Sequence, residues 1–421
     1  MAQLSDDCFA FSGPLMPVDA VEQLLVERIV PVSEIETVDV SGACGRVTAA
    51  DIIATVDLPP FDNSAVDGFA VRHADLDPSA ETRLTVVDQV MAGYRAGRAL
   101  ARGEAIRIFT GAPMPQGADT VFMQEDCRVE DGAVVVPAGL KPGANRRLAG
   151  EDVRSGAVAL PAGRRLAPQH VALAAAIGLR EISVRRRVRV ALFSTGDEIV
   201  EPGSPLPVAA LYDSNRRLLA AMLARLGAEV TDLGIVPDQP DGLAAALGAA
   251  AQRHDLVLTS GGVSTGEADH VRHAVEKVGR LVFWRIAIKP GRPVAMGVIP
   301  SESGSTAFVG LPGNPVAVFV TFARVVRPLV LRLGGAIPEP LVALPVRASF
   351  SYRKKKGRRE YVRVALARAE DGGIVANKYP REGAGVITSL TETDGLAELT
   401  EDVTNIEPGA TIGFLPYAVL T

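Results

Sequence analysis

The chain has few of the residues that carry thiolate, histidine or aromatic chemistry. Its 421 residues include three cysteines and five histidines, and aromatic residues make up only 5%. The cysteines, Cys8, Cys44 and Cys127, are far apart and form no C-x-x-C pattern, which argues against disulfides and against a zinc site. We therefore expect reduced thiols.

Motifs of several common catalytic classes are also missing. The sequence has no G-x-S-x-G, no H-E-x-x-H and no Walker lysine, and its histidines are scattered. We therefore expect neither a histidine general base nor a histidine metal cluster.

Long apolar runs and a strong charge bias are absent as well. The most apolar segment, 305–323, is interrupted by Gly, Pro, Asn and Thr, whereas a membrane span needs ~20 apolar residues. The net charge is −5 and the pI is near 5.7, which gives a nucleic-acid surface no support. Residues 1–7 are polar and acidic, so we expect no signal peptide and a cytoplasmic location.

The N-terminal part predicts a helical domain with an insertion. Helical spacing is present over 18–30 and 168–179, and a short helix is expected near 42–51. Between these segments lie short β-type runs broken by Gly and Pro. The predicted domains are a discontinuous helical domain, 13–55 and 155–187, and an inserted β-rich domain, 56–154.

The segment 188–335 alternates strands and helices. One helix is predicted over 214–227 with Ser214 as its cap, and another begins at Pro240. This alternation predicts a parallel sheet with ligands beyond the carboxyl ends of its strands. The last segment, 336–421, returns to a β pattern, and its basic run Arg353–Arg359 is either a solvated hairpin tip or a contact to an anionic ligand.

The most informative loop follows the strand-like run 255–259. It contains Ser260, Gly261, Gly262 and Ser264, followed by Glu267 and Asp269. Such glycines allow backbone N–H groups to surround an anion, and the carboxylates suit a hard cation that neutralises it. The alternative is a Gly-Gly turn leading to a helix that Asp269 caps.

Other strand-end loops of this domain carry polar residues of the same kind. If the strands are parallel, these loops converge on one rim, where Mg²⁺ would relieve the repulsion among Glu198, Asp238 and Asp269. Lys289 and Arg292, on a Pro-Gly turn, would supply an anion site. Taken singly, each residue could instead be a turn residue, a helix cap or a solvated strand end.

Taken together, these loops and three N-terminal motifs resemble a known family over about residues 13 to 421. The family is that of the molybdopterin molybdenumtransferases, the MoeA proteins and the related E domain of gephyrin. The matching motifs, in order, are Phe61–Gly68, Thr110–Pro113, Gly150–Asp152, Ser194–Glu198, Ser260–Ser264, Lys289–Gly291 and Leu311–Pro315. Each N-terminal motif could alternatively be a simple turn.

The resemblance implies a fold and a reaction. The fold is an elongated four-domain homodimer, in which the α/β domain is similar to molybdopterin adenylyltransferases and the C-terminal domain is a β-barrel. The reaction is the last step of molybdenum-cofactor assembly, in which adenylylated molybdopterin and molybdate, with Mg²⁺, give the loaded cofactor and AMP. An adenylyltransferase and apo-molybdoenzymes are candidate partners, whereas nucleic acid and membrane are not.

The resemblance also implies roles for individual residues. The acidic and hydroxyl positions are Asp67, Thr110, Asp152, Glu198, Asp238 and Asp269, of which the last three would hold the metal. The ligand-binding positions are Ser260, Gly261, Gly262, Ser264, Pro312 and Asn314, with Lys289, Arg292 and Arg358 as the anion site. In the family the site lies between two subunits, so Asp67 and Thr110 are expected to act in trans.

Some positions depart from the family pattern, and two other functions stay open. Ala317 and Ala384–Gly385 replace serines of many relatives, while Arg285 and Arg292 keep the charge but not the hydrogen-bond geometry of lysine. One alternative is a non-catalytic pterin-binding scaffold, which would not need the retained carboxylates. The other is a paralogue specialised for tungstate.

Overall fold

The computed structural model describes residues 15–262, 270–302 and 304–421. Its N-terminal unit contains two helices and two small antiparallel ladders that join residues before the insertion to residues after it. The helices are Val18–Arg28 and Pro168–Ala176, and the paired strands are Ile35–Asp39 with Glu181–Arg185 and Ile52–Ile53 with Val158–Leu160. Within the described residues, Cys44 and Cys127 are free thiols, as predicted.

The short helix expected near 42–51 is not formed. Only a 3₁₀ turn, Val40–Gly42, is present, and Val47 and Thr48 make bridges to Arg165 and Val184 instead. These distant partners provide the hydrogen bonds that a local helix would have used, so tertiary pairing overrides helix propensity here.

The inserted domain is built on a six-stranded sheet. In sheet order its strands are Thr120–Met123, Gly68–Val71, Glu104–Ile108, Thr82–Val90, Ala133–Val136 and Arg128–Glu130. Alternate residues bury two apolar faces, one around Phe69 and Phe122 and the other around Ile106 and Val121. Gly68 must be glycine, because a Cβ there would lie 1.7 Å from the Phe122 carbonyl oxygen. This close pairing fixes the backbone next to Asp67.

The central domain has a six-stranded mixed sheet. Its strands are β1 (Arg189–Ser194), β2 (Glu229–Ile235), β3 (Leu256–Ser260), β4 (Arg280–Arg285), β5 (Pro293–Ser301) and β6 (Gly304–Leu311), in the order β2-β1-β3-β6-β5-β4. Its helices are α1 (Asn215–Arg225), α2 (Pro240–Ala251), α3 (His270–Val278) and α4 (Pro315–Thr321), and α4 continues through a π turn into Arg327–Leu333. The four strands β2, β1, β3 and β6 are parallel, as predicted.

The strands β4 and β5 are antiparallel to their neighbours, which the sequence pattern did not predict. The reason is the length of their connections, since Ser301 pairs directly with Gly304 across a hairpin too short for a crossover helix. Because β5 runs in reverse with Ala295 opposite Gly310, the turn before β5 still lies at the edge where the parallel strands end.

The sheet of the central domain is buried on both faces. Leu192 and Leu258 face one apolar cluster, whereas Phe193, Val257 and Phe308 face another under α2 and α3. Burial on both sides explains why these strands read as continuous apolar runs, and each such side chain contributes ~1.5–3 kcal/mol. No helix among the described residues is long and apolar enough to cross a membrane.

The C-terminal domain is a closed β-barrel, as the resemblance implies. Around the barrel the strands are Arg359–Arg368, Ile374–Lys378, Leu344–Ala348, Thr411–Pro416 and Gly395–Leu399, and the last pairs back with the first. The strand Ile288–Lys289 of the central domain adds to this barrel, in parallel with Arg359–Glu360. The barrel therefore holds the Lys289 turn directly.

Candidate active site

The loops after β1 and β2 meet at the rim of the central sheet. Thr195 is buried, and its Oγ1 donates a hydrogen bond to Oδ1 of Asp238 at 3.3 Å. Glu198 bends back over Gly196, so that a Cβ on Gly196 would lie 2.6 Å from a Glu198 carboxylate oxygen. Two of the predicted acidic residues, Glu198 and Asp238, thus lie on adjacent loops that share Thr195.

A buried arginine braces the loop that carries Glu198. The Glu198 carbonyl accepts a hydrogen bond from the Leu211 N–H at 2.7 Å, and the short strands that follow pair in parallel. Arg216 of α1, only 1% exposed, donates to Asp213 at 2.8 Å and to the carboxylates of Glu201 and Asp232. These bonds join α1 and β2 to both ends of the Glu198 loop.

The prediction that Ser214 caps helix α1 is wrong. Its side chain makes no capping hydrogen bond, and the Arg216 N–H is capped instead by Oδ1 of Asp213 at 3.1 Å. The arginine selects this cap, because the same Asp213 carboxylate also accepts from its side chain.

The glycine loop after β3 packs tightly against the Thr195 loop. Gly261 and Gly262 have positive φ angles of +91° and +65°. A Cβ on Gly261 would lie 2.4 Å from the Thr195 carbonyl oxygen, and one on Gly262 would lie 2.4 Å from Cγ2 of Val271. Only glycine allows this backbone path. Ser264 and Asp269 lie outside the described residues.

Asn215 links the loops after β3 and β6, although no motif in the sequence marks it. Its Nδ2 donates to Oγ of Ser260 at 3.0 Å and to the Gly313 carbonyl at 2.7 Å, while Ser260 Oγ approaches the Pro312 carbonyl at 3.4 Å. Among the described residues, Oδ1 of Asn215 has no hydrogen-bond partner although it is buried. Asparagine is unfavourable inside a helix and favours caps and turns. Its place at the start of a predicted helix was therefore the one sequence signal of a special role.

The turn after β6 contacts the barrel. The N–H of Val316, two residues after Asn314, donates to the Ala384 carbonyl at 3.0 Å. The ideal Cβ of Gly385 would lie 3.6 Å from Oδ1 of Asn314. The segment Ala384–Gly385, where the sequence was expected to depart from the family pattern, therefore lies beside the rim.

A cationic cavity of about 170 Å³ lies where this barrel segment meets the Lys289 turn. The Lys289 ammonium is 3.2 Å from Oε2 of Glu360, and Arg358 donates to the other oxygen of that buried carboxylate at 2.6 Å. Burial alone would raise the pKa of Glu360, but hydrogen bonds from Tyr352, Arg358 and Lys289 outweigh burial and lower it. Lys289 and Arg358, two predicted anion-site residues, thus share one carboxylate.

Three further cations line the cavity, although no motif in the sequence marks them. They are Arg363, Lys378 and Arg381, which come from separate barrel strands and loops. Arg363 is buried and is held by the Arg381 and Gly383 carbonyls at 3.0 and 3.2 Å. The pairing of Ile288–Lys289 with Arg359–Arg368, and of that strand with Ile374–Lys378, brings these side chains to Lys289. Arg292 is exposed and does not line the cavity.

Asp67 and Thr110 form a hydrogen-bonded pair in the inserted domain. Both the N–H and the hydroxyl of Thr110 donate to Oδ1 of Asp67 at 2.7 Å, and these bonds lower the pKa of Asp67. Asp152 is exposed near the base of the domain, where its N–H donates to Leu58. Within the described part of one chain, no hydrogen bond or ion pair joins these three residues to Glu198.

The donor set at the rim fits a hard cation. Glu198, Asp238 and Thr195 offer only oxygen atoms, which Mg²⁺ prefers, and no thiolate or imidazole lies among them. Among residues 15–262, 270–302 and 304–421, no group of three or more His, Cys, Asp or Glu side chains is placed to hold a metal. Asp269, the predicted third ligand, is not among those residues.

The fold and the site define a class of protein, namely a multidomain α/β ligand-binding protein with a C-terminal barrel that contributes to the site. Three family profiles match the chain. They are described as "MoeA N-terminal region (domain I and II)" over 16–178, "Probable molybdopterin binding domain" over 191–332, and "MoeA C-terminal region (domain IV)" over 345–417.

Curated relatives and solved structures match nearly the whole chain. A molybdopterin molybdenumtransferase of Haemophilus influenzae is 36% identical and covers 96% of this chain and 99% of its own length. One of Nostoc sp. is 38% identical over 91% of this chain and 89% of its own. A molybdopterin biosynthesis MoeA protein of Pyrococcus horikoshii has a TM-score of 0.76 and 29% identity, covering 96% and 100%. The chain belongs to the MoeA family.

Proposed function

We propose that this enzyme is a molybdopterin molybdenumtransferase that couples Mg²⁺-dependent cleavage of adenylylated molybdopterin to molybdate insertion. The relatives' names support the activity. One observation supports the mechanism above all. Four strand-end loops meet at one rim, with the Thr195–Asp238 bond at 3.3 Å on one side and the Lys289 cavity on the other.

The rim would hold the diphosphate of the substrate. The N–H groups around Gly261 and Gly262 would donate to phosphate oxygens, as at other glycine-rich anion sites. Glu198 and Asp238, with Asp269 as the predicted third ligand, would hold Mg²⁺. The ion, when bound, would polarise the phosphoanhydride and neutralise the leaving phosphate. Thr195 orients Asp238 for this role.

The Lys289 cavity would hold molybdate. Its volume of about 170 Å³ is several times the ~30 Å³ that a water molecule occupies, so a tetrahedral oxyanion fits. Lys289, Arg363 and Lys378 supply the positive charge, and the Glu360 carboxylate holds the Lys289 ammonium at the cavity wall. An oxyanion held beside the rim would meet the pterin sulfurs as the diphosphate is cleaved, so proximity couples the two steps.

A homodimer would complete the site with the partner's Asp67 and Thr110. The loop after Glu198 exposes a set of apolar side chains, of which Val208 is 100% exposed and Leu206 and Leu211 are also open. Apolar groups of this kind beside a catalytic rim suit a second copy of the chain. An adenylyltransferase and apo-molybdoenzymes stay predicted partners.

The decisive experiment is AMP release by the purified protein. We expect AMP by chromatography only when adenylylated molybdopterin, Mg²⁺ and molybdate are all present. Asp238→Asn should abolish release, whereas Asp241→Asn, which removes an exposed carboxylate three residues away, should not. Binding of the pterin without any AMP release would support the scaffold alternative instead. If tungstate stimulated AMP release more strongly than molybdate, the result would support the alternative of a paralogue specialised for tungstate.

A further inference from the structure

The inserted domain contains a groove that the proposed reaction does not yet use. The groove has a volume of about 700 Å³, with segment 93–99 on one side, 113–116 on the other and Phe61 and Asp62 between them. Ligand pockets for drug-sized molecules occupy ~300–1,000 Å³. The groove is therefore far too large for an ion and large enough for a fused ring system.

Both walls of the groove are held by backbone hydrogen bonds. The Gly97 N–H donates to Asp88 at 2.9 Å, and the Leu100 N–H donates to the Gln116 carbonyl at 2.8 Å. The Met114 N–H donates to the Asp62 carbonyl at 2.9 Å. The groove is thus preformed, which reduces the entropy lost when a ligand binds.

The side chains in the groove suit a flat, anionic ligand. Tyr94 is 71% exposed and Phe61 is 43% exposed, although the chain has few aromatic residues. Exposed aromatic rings provide a surface on which heteroaromatic bases stack. Arg95, also in the groove, has no ion-pair partner among the described residues, so its charge is available to a phosphate.

The groove lies close along the chain to the Asp67–Thr110 pair. Its wall at Pro113 begins three residues after Thr110, and Pro113 bridges to Asn63 of the adjoining motif. Gly111, with φ of +76°, approaches the opposite loop, since its ideal Cβ would lie 3.8 Å from Cβ of Ala92. Only Gly111 and Ala112 therefore separate the groove wall from Thr110 along the chain.

We propose that this groove binds a fused heteroaromatic ring of the substrate through stacking on Tyr94 and Phe61. The inference rests on the proposed function, because the substrate offers two such rings, the adenine and the pterin. Each carries a phosphate, for which Arg95 supplies a positive charge. In the dimer, the partner's groove would hold one end of the substrate while the Gly261 loop holds the diphosphate.

The test is a fluorescence titration of the full-length protein. One arm uses the 5′-monophosphate of 2-aminopurine riboside, a fluorescent analogue of AMP, and the other uses molybdopterin without the adenylyl group. We expect Tyr94→Ala to weaken one of the two by about tenfold and Tyr94→Phe to restore it, because stacking needs the ring but not the hydroxyl. Met91→Ala is the matched control, since Met91 is exposed nearby but does not line the groove.

The arm that responds identifies the ring. If Tyr94→Ala changes neither arm while its thermal unfolding matches that of the wild type, the groove proposal is refuted. AMP release by the wild-type protein is measured separately. Its absence would refute the proposed function but leave the titration result intact, so the two failures are distinguishable.

Discussion

The substitution Gly261→Ala would test the backbone contact at the centre of the site. The φ of +91° disfavours any residue with a Cβ by ~1–2 kcal/mol. The new Cβ would also lie 2.4 Å from the Thr195 carbonyl oxygen, ~1 Å closer than ordinary contact, and such overpacking costs ~1–3 kcal/mol. The sum is ~2–5 kcal/mol, which the two loops can relieve by moving apart by ~1 Å.

That movement would break the Thr195–Asp238 hydrogen bond, which is already 3.3 Å long. Because a displacement of ~1 Å can cost ~100-fold in rate, we expect kcat/KM for AMP release to fall by ~100-fold and the Mg²⁺ requirement to rise. Gly242→Ala is the matched control, since a Cβ at Gly242 of α2 meets no atom within 4 Å. Wild-type turnover with an unchanged Mg²⁺ requirement in folded Gly261→Ala protein would show that the reasoning is wrong.

Three further perturbations follow from the structure. Arg216→Met should lower the free energy of unfolding by ~3–5 kcal/mol, because it leaves the buried carboxylate of Asp213 without its arginine, whereas Arg217→Met at an exposed position should cost ~1 kcal/mol or less. If urea unfolding showed equal losses of free energy for the two variants, Arg216 would not stabilise the Glu198 loop in the way described. Lys289→Ala should raise the molybdate concentration for half-maximal AMP release by at least ~10-fold, and an unchanged value would exclude it from the anion site. Hydrogen bonds from Thr110 lower the pKa of Asp67, so its carboxylate stays ionised until the pH falls through that lowered value. Thr110→Val removes the hydroxyl bond but keeps the N–H bond, which is the larger cause, so the acid limb of the pH–rate profile should move modestly to higher pH. An unmoved limb would show that the hydroxyl does not set it.

The order and type of the main elements could be predicted, because they depend on local pattern. The alternation of apolar runs and helical spacing over 188–335 predicted the parallel strands, and their shared direction placed Glu198 and Asp238 at one edge. The need for glycine in the loop of Gly261 and Gly262 was also predictable, because the loop follows a buried strand and other residues rarely adopt such backbone angles. The expected parallel direction failed at β5, because the length of a connection rather than the strand's own sequence decides direction.

The cations of the anion cavity show where sequence reasoning ends. Lys289 was identified because it follows a strand in a motif, whereas Arg363 and Lys378 read as ordinary residues of barrel strands. The Lys289 strand pairs with the barrel strand that carries Arg363, and that strand pairs in turn with the one that carries Lys378, so tertiary pairing brings them together. Asn215 was missed for a related reason, since its importance lies in the two loops that it joins and not in its own neighbours along the chain.

The amino-acid sequence alone determined the secondary-structure elements, the family and the chemical groups available at each loop. It could do so because the periodicity of apolar residues and the effects of glycine and proline act over a few residues. Tertiary structure decided which charges share a cavity, which acid caps α1 and which polar groups are left buried without a partner. Such contacts form between residues far apart in the chain, and their energies depend on burial and on distances of a few ångströms.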